Sequence, residues 1–241
     1  NITDDPFKRR SSGCFGGVVR SGATGVEHRG DAIVIPTGTS GRHWADITTN
    51  KNRDMNLGGA MGHTTSAALG LALGLPDEQV VLFDSEGSLL MNMGIIATIA
   101  GKKPENFFHI LMDNECYATT GGQPVPNAQE INYAGVAKEA GYAATFSYDN
   151  LEDFANNIGD IMKETGPVFV ALKIVPAVEN EPIGMRVRTP QPTRAETIKN
   201  LQGELGIAAG YFGGRIDDVI QYLYTTLGSI PGILLIAAAM L

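Results

Sequence analysis

The stretch 79-QVVLFDSEGSLLMN-92 decides how the chain folds. It opens with an apolar run at 79–83, the length and composition of a buried strand. It continues into an apolar, helix-like segment from Ser88. Between them lies a tight turn that holds an acid, Glu86, followed by Gly87 and Ser88. A strand, a small-residue turn and a helix in that order form the repeating junction of α/β sheets. The N–H groups and dipole at such a helix start favour anions.

The same alternation extends both ways. "DAIVIP" (31–36) reads as a short buried strand, closed by the turn "TGTSGR". "GGAMGHTTSAALGLALGL" (58–75) begins with glycines and continues as a small-residue helix. "SLLMNMGIIATIAG" (88–101) reads as one further helix and "FFHILMD" (107–113) as a third strand. Helices are expected at 133–142, ending near Gly141, and at 151–166, with Gly166 as the stop. "PVFVALKIV" (167–175) is another buried strand, and "AETIKNLQGEL" a closing helix. Apolar strands alternating with helices predict a doubly wound parallel sheet with helices on both faces. Three domains are expected: an irregular glycine-rich arm at 1–30, the α/β domain at 31–205, and an appendage at 206–241.

Composition narrows the function. The 241 residues are 43% hydrophobic with a net charge of −8. That balance argues against a general nucleic-acid binder, which needs clustered Lys and Arg. The two cysteines, Cys14 and Cys116, form no C-x-x-C, so iron–sulfur and structural zinc readings are poor. A cytoplasmic location is the default. The C-terminal "IPGILLIAAAML" is shorter than the ~20 residues a membrane-spanning helix needs. It is read as a buried or subunit-contact segment, with no membrane partner expected.

Ligands of parallel sheets bind at the carboxyl ends of the strands. The turns "TGTS", "DSEGS" and "DNECYATTGGQ" are therefore expected along one edge of the sheet. Thr37, Thr39 and Ser40 offer hydroxyls there, with helix capping as their plainer role. Glu86 offers a carboxylate. Asn114, just beyond the next expected strand, offers an amide oxygen, and the Cys116 carbonyl can add a third. Mg²⁺ takes about six oxygens, commonly one or two carboxylates plus phosphates. His109 is read as a structural histidine in a strand, and Cys116 as no nucleophile. Arg42, Arg186 and Arg188 are read as solvated positions rather than substrate ligands.

An acidic-Gly-Ser turn at 86–88, followed after the next strand by Asn114, resembles the motif of thiamine-diphosphate (ThDP) enzymes. "TGTS", "GGAMGHTTSAALGLALGLP", "SLLMNMGIIATIA" and "LMDNECYATTGGQP" fall in the family's order. The likeness covers about residues 31 to 205 and is nearest to the ThDP-binding half of sulfopyruvate and phosphonopyruvate decarboxylases. It implies that Glu86, Asn114 and the Cys116 carbonyl hold Mg²⁺. It implies diphosphate contacts from Thr37, Thr39, Ser40, Gly87 and Ser88. Gly59 would accept from the aminopyrimidine, and Met61 would bend the cofactor, with packing in the core as its plainer role. His63 and Gln123 would border the reacting carbon.

Two departures follow. The family's Gly-Asp-Gly is Ser85-Glu86-Gly87 here, one methylene longer at the acid, so Ca²⁺ or Mn²⁺ is an alternative metal. The glutamate that activates the cofactor lies on the family's pyrimidine-binding domain, for which 31–205 leaves no room. The resemblance therefore implies a partner subunit, a hetero-oligomer and a small acidic 2-oxo acid as substrate. The product would be an aldehyde and carbon dioxide. Alternatives are an acetolactate-synthase-like carboligase, a non-catalytic ThDP-fold scaffold or regulatory subunit, and a flavodoxin-like nucleotide binder. Relatives that reduce ferredoxin usually carry cluster cysteines, which this chain lacks.

Overall fold

The structure is a computed structural model that describes residues 27–57, 61–176, 178, 185 and 192–205, without the side chains of 39, 42 and 43. The N-terminal stretch 1–26, Gly59, the Arg186/Arg188 pair and the appendage at 206–241 lie outside the described residues. The chain divides into two compact units, Asn1–Ile198 and Lys199–Leu241.

The first unit is built on a five-stranded parallel sheet. Its strands are β1 (Ile33–Pro36), β2 (Val80–Ser85), β3 (Phe107–Asp113), β6 (Ala144–Tyr148) and β7 (Val168–Lys173). They lie in the order β1-β2-β3-β7-β6. After β3 the chain passes one position to the edge and returns through β7. The central strands are buried almost end to end, as expected where both faces of a sheet are covered. On one face Val34, Phe83, Ile110 and Val170 cluster with Trp44 of α1 (Gly38–Ile47). Phe154, Ile158 and Ile161 of α6 (Leu151–Ile161) complete that cluster. Burying one such side chain contributes roughly 1.5–3 kcal/mol. Neighbouring side chains alternate across a strand, so the aligned Leu82, His109 and Phe169 point to the other face. There α2 (Thr64–Gly74) is tied to β2 by a 2.6 Å bond from the Thr65 hydroxyl to Asp84.

The remaining elements differ from expectation in instructive ways. The segment "TGTSGR" is no free turn but the start of α1, with Thr37 in the N-cap position. The single helix expected at 88–101 is two, α3 (Glu86–Met91) and α4 (Ile95–Lys102). Asn92 leaves the helical region between them, and its amide donates to the Gly62 carbonyl and the Ser66 hydroxyl. Helix α6 ends at Ile161, before Gly166. Gly166 instead serves a close approach: a Cβ there would lie 2.7 Å from the Pro104 carbonyl oxygen. Helix α5 (Tyr133–Ala140) does end at Gly141, in the left-handed region at φ 107°. The half-exposed edge strand β6 and the short hairpin of β4 (Cys116–Tyr117) and β5 (Gln123–Pro124) were not anticipated. Helix α7 (Arg194–Glu204) crosses the boundary between the two units. Arg29, within the segment read as an arm, is buried and pairs with Asp54 at 2.8 Å. No helix among the described residues is long and apolar enough to cross a membrane.

Candidate functional site

Three sequentially adjacent parallel strands end side by side, and each ends in one of the turns singled out above. Thr37 follows β1, Glu86 follows β2 and Asn114 follows β3. Their convergence is visible in one main-chain amide. The Cys116 N–H donates to Glu86 Oε1 (3.1 Å) and to Asn114 Oδ1 (3.0 Å). The two oxygens therefore share a neighbour although they come from the ends of different strands.

Glu86 is fully buried, and its second oxygen, Oε2, has no hydrogen-bond partner among the described residues. Burial pushes its carboxyl up to about 7, and the nearby Asp113 carboxylate adds to the rise. Buried polar atoms are normally paired, so an orphaned carboxylate oxygen marks a candidate ligand site. A divalent cation fits this donor set: one carboxylate oxygen without a partner, with an amide oxygen beside it. The Cys116 carbonyl belongs to the same segment, and the nearby hairpin bonds use the Glu115 and Tyr117 carbonyls instead. The Cys116 thiol is pushed up to about 11, by burial first and then by Glu86 and Glu115. It stays protonated at neutral pH and is no nucleophile.

Around this core, Gly87 lies under two side chains. A Cβ there would stand 2.7 Å from Tyr117 Cε1 and 3.3 Å from Met61 Cε. Met61 is 42% exposed, so it overhangs the turn rather than filling the core. Ser88 Oγ accepts from the Gly62 N–H at 3.2 Å. That bond uses a lone pair and leaves the O–H as a donor. Thr37 and Ser40 are committed differently. Thr37 Oγ1 donates to the Phe83 carbonyl (2.8 Å), and Ser40 Oγ donates to the Thr37 carbonyl (2.6 Å). Their hydroxyl protons are spent on the main chain. Ser85, where the family motif has glycine, accepts from the Ser88 N–H at 3.3 Å and caps α3 with its own side chain. Thr39 lies in α1, and its side chain is outside the described set.

His63 and Gln123 are not drawn into the cluster. His63 is exposed at the start of α2. Gln123 is exposed and bonds Thr120 with both ends of its amide, at 2.8 and 3.1 Å. Other residues that the sequence reading did not single out do belong here. Lys173 bridges Asp113 (2.9 Å) and Glu115 (2.7 Å). The Tyr133 hydroxyl is buried with no partner among the described residues. Burial, then Asp113 and Glu86, hold its pKa far above the ordinary value, so it remains a donor. None of these has a spacing signal, because each reaches the site from a separate strand or helix.

The family model of the thiamine pyrophosphate enzyme C-terminal TPP binding domain matches residues 37–172, more than half of the chain. Phosphonopyruvate decarboxylase of Streptomyces viridochromogenes is 34% identical over 150 residues, covering 61% of this chain and 36% of that protein. Sulfopyruvate decarboxylase subunit beta of Methanothermobacter thermautotrophicus is 37% identical over 125 residues, covering 52% of this chain and 64% of that one. The chain thus spans about a third of the first relative and just under two thirds of the second. Among solved structures, 2-oxoglutarate:ferredoxin oxidoreductase of Magnetococcus marinus matches with a TM-score of 0.54 and 18% identity. That match covers 86% of this chain and 90% of the other and speaks for the fold alone. The chain belongs to the thiamine pyrophosphate enzymes, and the part of them that it carries is the C-terminal TPP binding domain.

Proposed function

We propose that this chain is the cofactor-binding unit of a ThDP-dependent 2-oxo acid decarboxylase acting on a small acidic substrate such as sulfopyruvate or phosphonopyruvate. A partner subunit would supply the pyrimidine-binding domain, giving a hetero-oligomer. The observation that carries the reading is the convergence of Glu86 and Asn114 on the Cys116 amide, with one Glu86 oxygen unpartnered in a buried setting. A relative named as a beta subunit supports the partner.

In this reading Glu86, Asn114 and the Cys116 carbonyl hold Mg²⁺, or Ca²⁺ or Mn²⁺, against the diphosphate. When bound, the cofactor supplies the electron sink for loss of carbon dioxide from a 2-oxo acid. The protein's own tasks are different. Glu86 meets the cation's charge, and the Ser88 O–H donates to a phosphate oxygen. Met61 and Tyr117 cover Gly87 and exclude water from the turn. Thr37 and Ser40 fix the start of α1 through the main chain. His63 and Gln123, both exposed, are left to face the substrate or the partner.

The test is calorimetric titration of ThDP with Mg²⁺ into the protein, keeping any co-purifying partner, beside Glu86→Asp and Glu86→Ala. Metal-dependent binding that the alanine variant loses supports the assignment, and release of carbon dioxide from 2-oxo acids is then assayed. Binding by the aspartate variant alone would show that the natural chain has given up the cofactor. Binding by none, with the partner present, would overturn the reading.

A further inference from the structure

The turn at 114–116 carries two of the three candidate oxygen donors, and one side chain from the neighbouring strand β7 bridges the residues on either side of Asn114. Lys173 Nζ lies 2.9 Å from Asp113 Oδ2 and 2.7 Å from Glu115 Oε1. Those residues flank Asn114 on either side, so the ammonium closes a bracket around it. The sheet fixes the other end of that bracket. Lys173 stands opposite Asp113 in the β3–β7 ladder, and the Ile174 N–H donates to the Asp113 carbonyl at 2.9 Å. The turn needs such support. Glu115 sits at φ 65°, a left-handed conformation that is strained for a residue carrying a Cβ.

We propose that Lys173 is a positioning residue for a divalent cation at Glu86 and Asn114, holding the turn that presents the Asn114 and Cys116 oxygens. The inference rests on the cation reading given above. It makes a prediction that charge alone contradicts. A lysine near a cation site repels the cation, so by charge its removal tightens binding. If it positions the donors, its removal weakens binding. The loss is greatest for Mg²⁺, which demands near-ideal octahedral geometry, and smaller for Ca²⁺, which tolerates irregular sites.

The experiment titrates Mg²⁺ and Ca²⁺, each with ThDP, into the full chain with any co-purifying partner, beside Lys173→Met and Lys173→Arg. Amide hydrogen exchange over 113–117 is followed in the metal-free proteins. The methionine variant is expected to lose about tenfold or more in Mg²⁺ affinity, the range typical of residues that orient metal ligands. Its Ca²⁺ affinity changes less, and its Cys116 amide exchanges faster. Arginine, which keeps both bridges, restores all three. Glu115→Gln, which cuts one bridge, gives a smaller change in the same direction and serves if the methionine variant does not fold. Equal or tighter Mg²⁺ binding, or an equal loss for both ions, would overturn the proposal. If the unaltered chain binds neither ion, the cation reading fails by itself. An unchanged Cys116 exchange rate would then show separately that Lys173 does not hold the turn.

Discussion

Asp84 and Glu86 stand two residues apart at the end of one strand, both buried, and the protein treats them in opposite ways. Asp84 is surrounded by donors. Thr65 Oγ1 reaches it at 2.6 Å, the Ser85 N–H at 2.8 Å, and His109 Nε2 stands 3.4 Å away. Burial works against its charge, but His109, Thr65 and Ser85 outweigh burial and hold it below the ordinary carboxylate range. Glu86 meets one amide with one oxygen and nothing with the other, and its carboxyl is pushed up to about 7. A charge satisfied inside the protein ties elements together. A charge left unsatisfied is poised for something outside it.

That contrast can be broken by experiment, and the largest effect belongs to Asp84. Asp84→Ala strands the Thr65 hydroxyl, the Ser85 N–H and His109 in a dry interior. A loss of about 3 kcal/mol or more in urea denaturation is expected, since each buried group left unsatisfied costs about 1–3 kcal/mol. A loss below about 0.5 kcal/mol, the range of an ordinary surface change, would mean that Asp84 is not the anchor described here.

Glu86→Gln is expected to act in the other direction. Below pH 4.5 the Glu86 carboxyl is protonated in folded and unfolded chains alike. Between 4.5 and about 7 the unfolded chain ionises first, so the metal-free protein loses stability as pH rises through that window. Above it the loss levels off at roughly 3 kcal/mol. The glutamine variant should lack this contribution across the window and be more stable than the natural chain at pH 8. Parallel stability curves for the two proteins would place the charge elsewhere.

Next in size is Gly87→Ala, which drives a methyl group into the Tyr117 ring. It should cost about 1–3 kcal/mol, the usual range for overpacking. Tyr117→Ala in the same chain should recover most of that, a coupling readable from a double-mutant cycle. The smallest effect is on the surface. Lys163 and Asp160 pair at 2.8 Å but are both largely exposed. Lys163→Ala should leave the denaturation midpoint where it was, because exposed pairs contribute little.

The sequence made part of this legible. The apolar runs at 79–83, 107–113 and 167–175 announced the central strands, because strands buried on both faces carry nearly continuous hydrophobic side chains. Strand β6 was missed because "ATFSY" at a half-exposed edge mixes polar and apolar residues without a clear period. The break at Asn92 was missed because its cause, the Gly62 carbonyl, lies 30 residues away. Glu86 and Asn114 were singled out from their spacing. Lys173 was not, since its partners belong to a much earlier part of the chain and only the β3–β7 register brings them together. The capping role of Thr37 and Ser40 is local and was readable as an alternative.

The shared Cys116 amide has a further consequence. An ordinary side chain that is immobilised at the moment of association costs about 0.5–1.5 kcal/mol in lost rotamer freedom. Glu86 and Asn114 are already held on the same N–H. Their ordering is charged to the folding of the chain rather than to the arrival of a ligand, and whatever binds there meets a pair of oxygens already in place.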